Sequence, residues 1–240
     1  MQLIMRNNFL IILIIILLTV FTDTAHAQIS VDNVIVHFPA EARPVHNVIV
    51  GNSSPHTAYV IVEVESVPDP ANDIGKSVAS TELLASPKAF SIEPNGQRTV
   101  RLLLKTPPND KERVFRVGFI PQDRGFGQKI EHSEAGRSAV IRVLTGMGIL
   151  VFADPKNPQA QLKWERDDKN VTFSNLGSIH VYLGDIKSCN KANECTNISP
   201  KRLYAGSTYQ IAAPGTNTVS FMKKEGASGS HQKLTIDPKG

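Results

Sequence analysis

Cysteine is nearly absent from this sequence, with two in 240 residues, and there is one tryptophan. Two thiols fall short of a structural zinc site, which takes four ligands, and no histidine lies near enough in sequence to complete one. The histidines form no HxH or HExxH pair, so no metal site is expected. The chain also lacks a G-x-S-x-G elbow, a Walker loop and a dinucleotide glycine pattern. Gly125-Phe126-Gly127 is a lone G-x-G in a polar loop, and Glu63 and Glu65 share one solvated strand face rather than forming an acid/base pair. Asp167-Asp168 carries no better signal for catalysis. Lys and Arg runs are too short to track phosphates despite a net charge of +4. No window shows a capped 3.6-residue period. The expectation is a protein that is not an enzyme, takes no cofactor and binds no nucleic acid.

What the sequence does hold is ordinary for a globular chain: 41% hydrophobic, 20% charged, with 16 Gly and 15 Pro marking many turns. Residues 1–27 read as a cleavable signal peptide. Arg6 gives the positive start, 9–21 the apolar run and Ala25-His26-Ala27 the cleavage site. That run is about 13 residues, short of the roughly 20 that span a bilayer, so no stable membrane insertion is expected. An exported chain meets an oxidising compartment, and Cys189 and Cys195 are expected to form a local disulfide. So short a loop contributes roughly 2 kcal/mol, which leaves the cores to hold the fold. Three sequons, at Asn52, Asn170 and Asn197, decide nothing by themselves.

Strand signals run from end to end. Val- and Ile-rich or alternating segments occur at 29–38, 47–52, 59–65, 90–96, 98–104, 113–120 and 139–152. Pro94-Asn95-Gly96 supplies a turn between two of them. Further strands are expected at 161–165, 170–175, 181–186, 209–212, 218–222 and 233–236. Short strands with Pro/Gly turns at about ten-residue spacing imply antiparallel sandwiches. Pro155 and Pro158 mark a hinge, giving two immunoglobulin-like β-sandwich domains, 28–155 and 156–240, in a boomerang-like arrangement. Trp164 reads as a core anchor.

The stretch from Ser86 through Ile92-Glu93-Pro94 to Val100-Arg101-Leu102 resembles, with one extra residue between Pro94 and Val100, the "P-x-x-x-x-[IL]-x-P-x-x-x-x-[VI]-R-L" signature of the periplasmic pilus-assembly chaperones of chaperone–usher systems. Glu112-Arg113-Val114-Phe115-Arg116-Val117 is similar to that family's next strand, and 148–155 to its last N-domain strand and elbow. The resemblance implies a periplasmic chaperone that stabilises pilus subunits by donating a β-strand and delivers them to an outer-membrane usher. In the prototype branch, an Arg in the first strand and a Lys in the last strand of the first domain hold the subunit's terminal carboxylate. Ile35 and Leu150 align there, so the alternate (colonisation-factor) or archaic branches are the better match. Arg116 is the first candidate for the anchor, with a solvated outward residue as the other reading. Arg101 is the second, and the family pairs the matching Arg with the counterpart of Glu112 near the hinge. Glu225 is the candidate third member of that interdomain group.

Alternation puts Ala139, Ile141, Val143, Thr145 and Met147 on one face of the longest strand, and Arg142 prevents the opposite face from being a buried row. The resemblance makes the first row donors to a subunit groove; as a pattern alone it equally fits an ordinary core. Two rival classes share the strands: a secreted immunoglobulin-like adhesin or binding module, which would need an aromatic loop patch, and a dismutase-like exported enzyme, which the scattered histidines oppose.

Overall fold

The computed structural model describes residues 29–72, 75–122 and 144–239, and these form strands, turns and loops with no helix. The first sandwich comprises β1 (Ile29–Val31), β2 (Ile35–Phe38), β3 (Val45–Asn52), β4 (Ala58–Val67), β5 (Val78–Ala79), β6 (Leu83–Ser86), β7 (Ala89–Ile92), β8 (Gln97–Leu104), β9 (Arg113–Gln122) and β10 (Met147–Ala153). One of its sheets runs β1-β3-β8-β6; the other runs β2-β10-β9-β4-β5, with β7 also on β4. Alternation builds the core between them. Val100, Leu102 and Leu104 of β8 face Phe115, Val117 and Phe119 of β9 across the sandwich, with Val48, Val50, Ile149 and Val151 beside them.

The continuous first strand expected at 29–38 is two strands in two sheets. β1 pairs antiparallel with β3, whereas β2 runs parallel to β10. Asp32 makes the break. Its N–H donates to the Ile49 carbonyl at 3.1 Å, and its carboxylate accepts from Ile49 N–H at 2.9 Å, after which the chain crosses to the other sheet. The strand expected at 139–152 begins, among the described residues, at Met147; 144–146 precede it as loop.

The second sandwich comprises β11 (Leu162–Arg166), β12 (Asn170–Asn175), β13 (Val181–Cys189), β14 (Cys195–Ile198), β15 (Lys201–Leu203), β16 (Thr208–Ala212), β17 (Thr218–Glu225) and β18 (His231–Ile236). Its sheets are β11-β12-β16 and β14-β13-β17-β18, with β15 also on β13. Val171, Phe173, Leu183, Ile211, Val219 and Phe221 fill its core. The Cys189–Cys195 disulfide closes the β13–β14 hairpin, where the two cysteines are direct cross-strand partners.

Both sandwiches use the same local device. Asn52 ends β3 and Asn175 ends β12, and both are buried. Each accepts from the N–H two residues on, Ser54 and Gly177 respectively, at 3.0 Å. Each donates its amide to a distant carbonyl, Ile92 for Asn52 and Leu203 for Asn175, and Asn175 also to Ile179 four residues on. Burial removes Asn52 as a glycan acceptor. Trp164 corrects its expected role: it is 39% exposed, because it faces inward from an edge strand of the smaller sheet and meets only the rim of the core, edge-on to Phe221 at 6.0 Å. It therefore reports on that core. Phe173 is fully buried and T-stacked on Phe221 at 5.1 Å, so Phe173→Ala is expected to cost about 3–5 kcal/mol. The check is an earlier urea midpoint for the unfolding step followed by Trp164 fluorescence.

Candidate functional site

Phe115, Val117 and Phe119 turn into the first core, so Val114, Arg116 and Gly118 take the outer face of that sheet. Register sets two rows on this face: Val67, Val114, Phe152 and His37, then Glu65, Arg116, Leu150 and Ile35. The second sandwich closes over the first row. Tyr204 joins Val67, Val114 and Phe152 in a buried cluster of its own, with Ala227 alongside. The His180 ring lies 4.4 Å from that of Phe152, and the Arg202 guanidinium sits over the same ring at 4.9 Å.

A buried polar tie accompanies the apolar one. Glu112, just before β9, has both carboxylate oxygens 2.8 Å from His180 Nδ1, and also accepts from His180 N–H at 3.3 Å. A carboxylate only accepts, so Nδ1 carries the proton. Glu112 N–H in turn donates to the Ser178 carbonyl at 2.8 Å. Gly226, at φ 58°, donates its N–H to the His180 carbonyl at 2.9 Å, a turn that glycine adopts without strain. At the elbow, His37 Nε2 lies 2.8 Å from the Asp154 carboxylate.

Beside this contact the domains leave a cleft of about 470 Å³, with Ile35, His37 and Phe152 on one wall. The facing wall is a single cross-strand row, Arg202, Tyr182, Lys224 and His231, from β15, β13, β17 and β18. Burial holds the Tyr204 phenol above the usual tyrosine range; Arg202 pulls it down, the Glu112 charge raises it, and Arg116 is close enough to lower it too. Among the described residues no group of three or more His, Cys, Asp or Glu could hold a metal ion.

The expected site residues are only partly brought together. Arg116 is half-buried on the outer face, one strand in from Leu150, and its guanidinium donates to the Gly75 carbonyl at 3.3 Å. Arg101 is exposed on β8, between Asn47 and Ser86 in the opposite sheet, so it does not meet Glu112. His180 takes the place the Arg was expected to fill. Glu225 pairs with Lys223 of its own strand at 2.7 Å rather than across the interface. Ala139, Ile141 and Val143 lie outside the described residues. Thr145 is exposed and precedes β10, while Met147 packs partly against the first core, in line with Ile149 and Val151. His180, Arg202, Tyr204 and Lys224 had no individual signal, save that His180 sits between Ile179 and Val181 at the start of an apolar strand.

Two packed sandwiches with a cleft between them define an all-β, two-domain architecture. Residues 28–159 match the family described as pili and flagellar-assembly chaperone, PapD N-terminal domain, and the chain belongs to that family. The family is one of assembly chaperones, not enzymes. Among curated relatives, "Probable fimbrial chaperone EcpE" of Escherichia coli is 23% identical over 69% of this chain and 69% of its own length. "Probable fimbrial chaperone EcpB" of Escherichia coli is 23% identical over 60% of this chain and 62% of its own. Among solved structures, the Class 5 fimbriae chaperone CfaA superposes with a TM-score of 0.65 at 16% identity, over 88% of this chain and 99% of that one. The CsuC–CsuE complex of chaperone and tip subunit, from archaic Csu pili of Acinetobacter baumannii, gives 0.58 at 13%, over 89% and 100%.

Two outcomes test the interface. Glu112→Ala strands the His180 Nδ1–H and amide, and is expected to cost about 1–3 kcal/mol and to widen the spread of domain orientations seen by small-angle scattering. Tyr204 is held protonated by burial, so its contribution is complete below the ordinary tyrosine value of 10.0 and is lost as pH rises past it. Thermal melts from pH 9 to 11 should therefore fall more steeply for the wild type than for Tyr204→Phe.

Proposed function

We propose that this chain is a periplasmic chaperone of pilus subunits, which it binds by lending β10 and the segment before it as a missing strand and hands to an outer-membrane usher. The observation that carries the reading is the uneven cover on β10. β2 pairs with Leu150–Ala153 only, while among the described residues Met147, Gly148 and Ile149 pair with β9 alone. Leu150 N–H donates across to the Val34 carbonyl, so alternation turns Gly148 N–H to the same side, where no described residue pairs with it. An open edge is a template for another chain, and strand addition of this kind is the mode for which chaperone–pilin pairs are a named example. A strand laid there must stop at Val34 and Ile35, where β2 begins, which is the mouth of the cleft.

The proposed donor row is Ala139, Ile141, Val143, Thr145 and Met147. Fully buried in a subunit groove, its larger apolar members would contribute roughly 1.5–3 kcal/mol each. Arg116 is the proposed first anchor for the subunit's carboxylate, supported by its place beside Leu150. Similarity to CfaA and CsuC, rather than to a prototype pair of basic residues, supports the alternate or archaic branch. The leader-like residues 1–27 support the periplasm.

Gly148→Pro tests the strand. A side chain at 148 meets open space, and proline there removes an outward donor without touching the β9 ladder. In periplasmic co-expression with a cognate pilus subunit, the variant is expected to fold as wild type and to recover at least about tenfold less complex, the equivalent of one charge-free ladder bond or more. Unchanged recovery would remove the edge-donation reading.

A further inference from the structure

We propose that β11 is a pairing edge for a second copy of this chain: two β11 strands align antiparallel about Trp164 and join their smaller sheets into one. β11 ends its sheet and, among the described residues, pairs with β12 alone. Leu176 N–H donates to the Gln161 carbonyl, and Asp167 N–H to the Asn170 carbonyl. By alternation the odd-numbered residues of this strand turn their main-chain groups toward β12. Leu162, Trp164 and Arg166 turn theirs the other way, to the open edge. That edge contains no proline, glycine or register shift. Its end is held in place, because the Arg166 guanidinium donates to the Asp237 and Pro214 carbonyls at 2.6 and 3.0 Å. Trp164 stands exposed at the rim beside it. An edge with these properties is a template for another strand.

Charge selects the occupant. Lys163 and Glu165 lie on the outer face, one on each side of Trp164, and both are exposed. Neither forms an ion pair within the chain among the described residues. A two-fold axis through Trp164 sets that residue opposite its own copy as a hydrogen-bonded pair, with Leu162 opposite Arg166. Lys163 then faces Glu165 twice, at the closer, non-hydrogen-bonded sites. Sliding the partner by two residues is the smallest step that keeps the open-edge groups facing each other. It sets Lys163 against Lys163 in one direction and Glu165 against Glu165 in the other. Leu162-Lys163-Trp164-Glu165-Arg166 is therefore complementary to its own reverse in one register and repelled in the two beside it. On the inner face the two indoles meet and cover the rim of the core that a single copy leaves open. The pairing leaves β10 and the cleft accessible, because β10 belongs to the first sandwich and the cleft wall of the second lies on its other sheet. It is thus independent of the chaperone reading.

The test is sedimentation equilibrium of the full mature chain, with emission from its one tryptophan recorded on the same samples. A strand pair of this length is at the small end of protein interfaces, so a reversible dimer in the micromolar-to-millimolar range is expected. Trp164 emission should move to shorter wavelength as the dimer fills. Lys163→Glu and Glu165→Lys each set like charges opposite one another, and each should weaken association at least about tenfold. An equal mixture of these two variants restores opposite charges and should form a one-to-one dimer. Lys163→Glu combined with Glu165→Lys should dimerise as the wild type does. A chain that stays monomeric up to about 1 mM, a dimer that Lys163→Glu leaves unchanged, or a mixture that fails to restore it overturns the assignment.

Discussion

Asp32 holds the backbone of Ile49 from both directions, as donor and as acceptor, and the position of that tie sets where the first strand leaves one sheet for the other. β2 can then begin no earlier than Ile35, and it covers β10 only from Leu150 onward. Two properties follow from one crossing point. Among the described residues the first half of β10 keeps an unpaired edge, a feature that ordinary β proteins block with charge, proline or a covering loop. The covered half carries Phe152 to the outer face, where the second sandwich packs on it. A crossing one residue earlier or later would reverse which side chains of β2 face the cleft, because side chains alternate with period two.

The interface between the sandwiches combines a small apolar cluster with a buried Glu112–His180 contact. Taking a carboxylate and an imidazole out of water costs several kcal/mol, and close pairing with two further backbone bonds offsets it. Such a pair adds little net stability, but it is intolerant of misalignment. The apolar cluster can slide by an ångström without losing much area; the hydrogen bonds cannot. The tie therefore fixes the angle at which the row Arg202, Tyr182, Lys224 and His231 faces the row Ile35, Leu150 and Arg116.

Short-range physics was legible in the sequence. The alternation of β8 and β9, the turn at Asn95-Gly96 and the six-residue cysteine spacing each specify their local structure. Sheet membership was less so. Asp32-Asn33 sits inside a Val- and Ile-rich run and reads as a solvated step along one strand, because its partner Ile49 is 17 residues away. Arg101 was expected near Glu112 at the hinge, but a strand signal does not say which of two sheets the strand joins, and β8 joins the one turned from the cleft. Trp164 failed for a related reason: an inward direction gives burial only where the opposite sheet extends far enough to cover it. The cleft itself is non-local throughout, with Glu112 and His180 separated by 68 positions.

The apolar pair Ile35 and Leu150 bears on where a bound chain end can be held. The two residues are direct cross-strand partners, so both prototype anchor positions fall side by side at the cleft mouth, and both lack charge here. A bound carboxylate responds to the potential where it rests, which falls off with distance but does not depend on which wall supplies it. Arg116 stands beside Leu150 on the same outer face, so on the proposed reading the cation is displaced by one strand from the two prototype positions and still acts from within the first sandwich, at any domain angle.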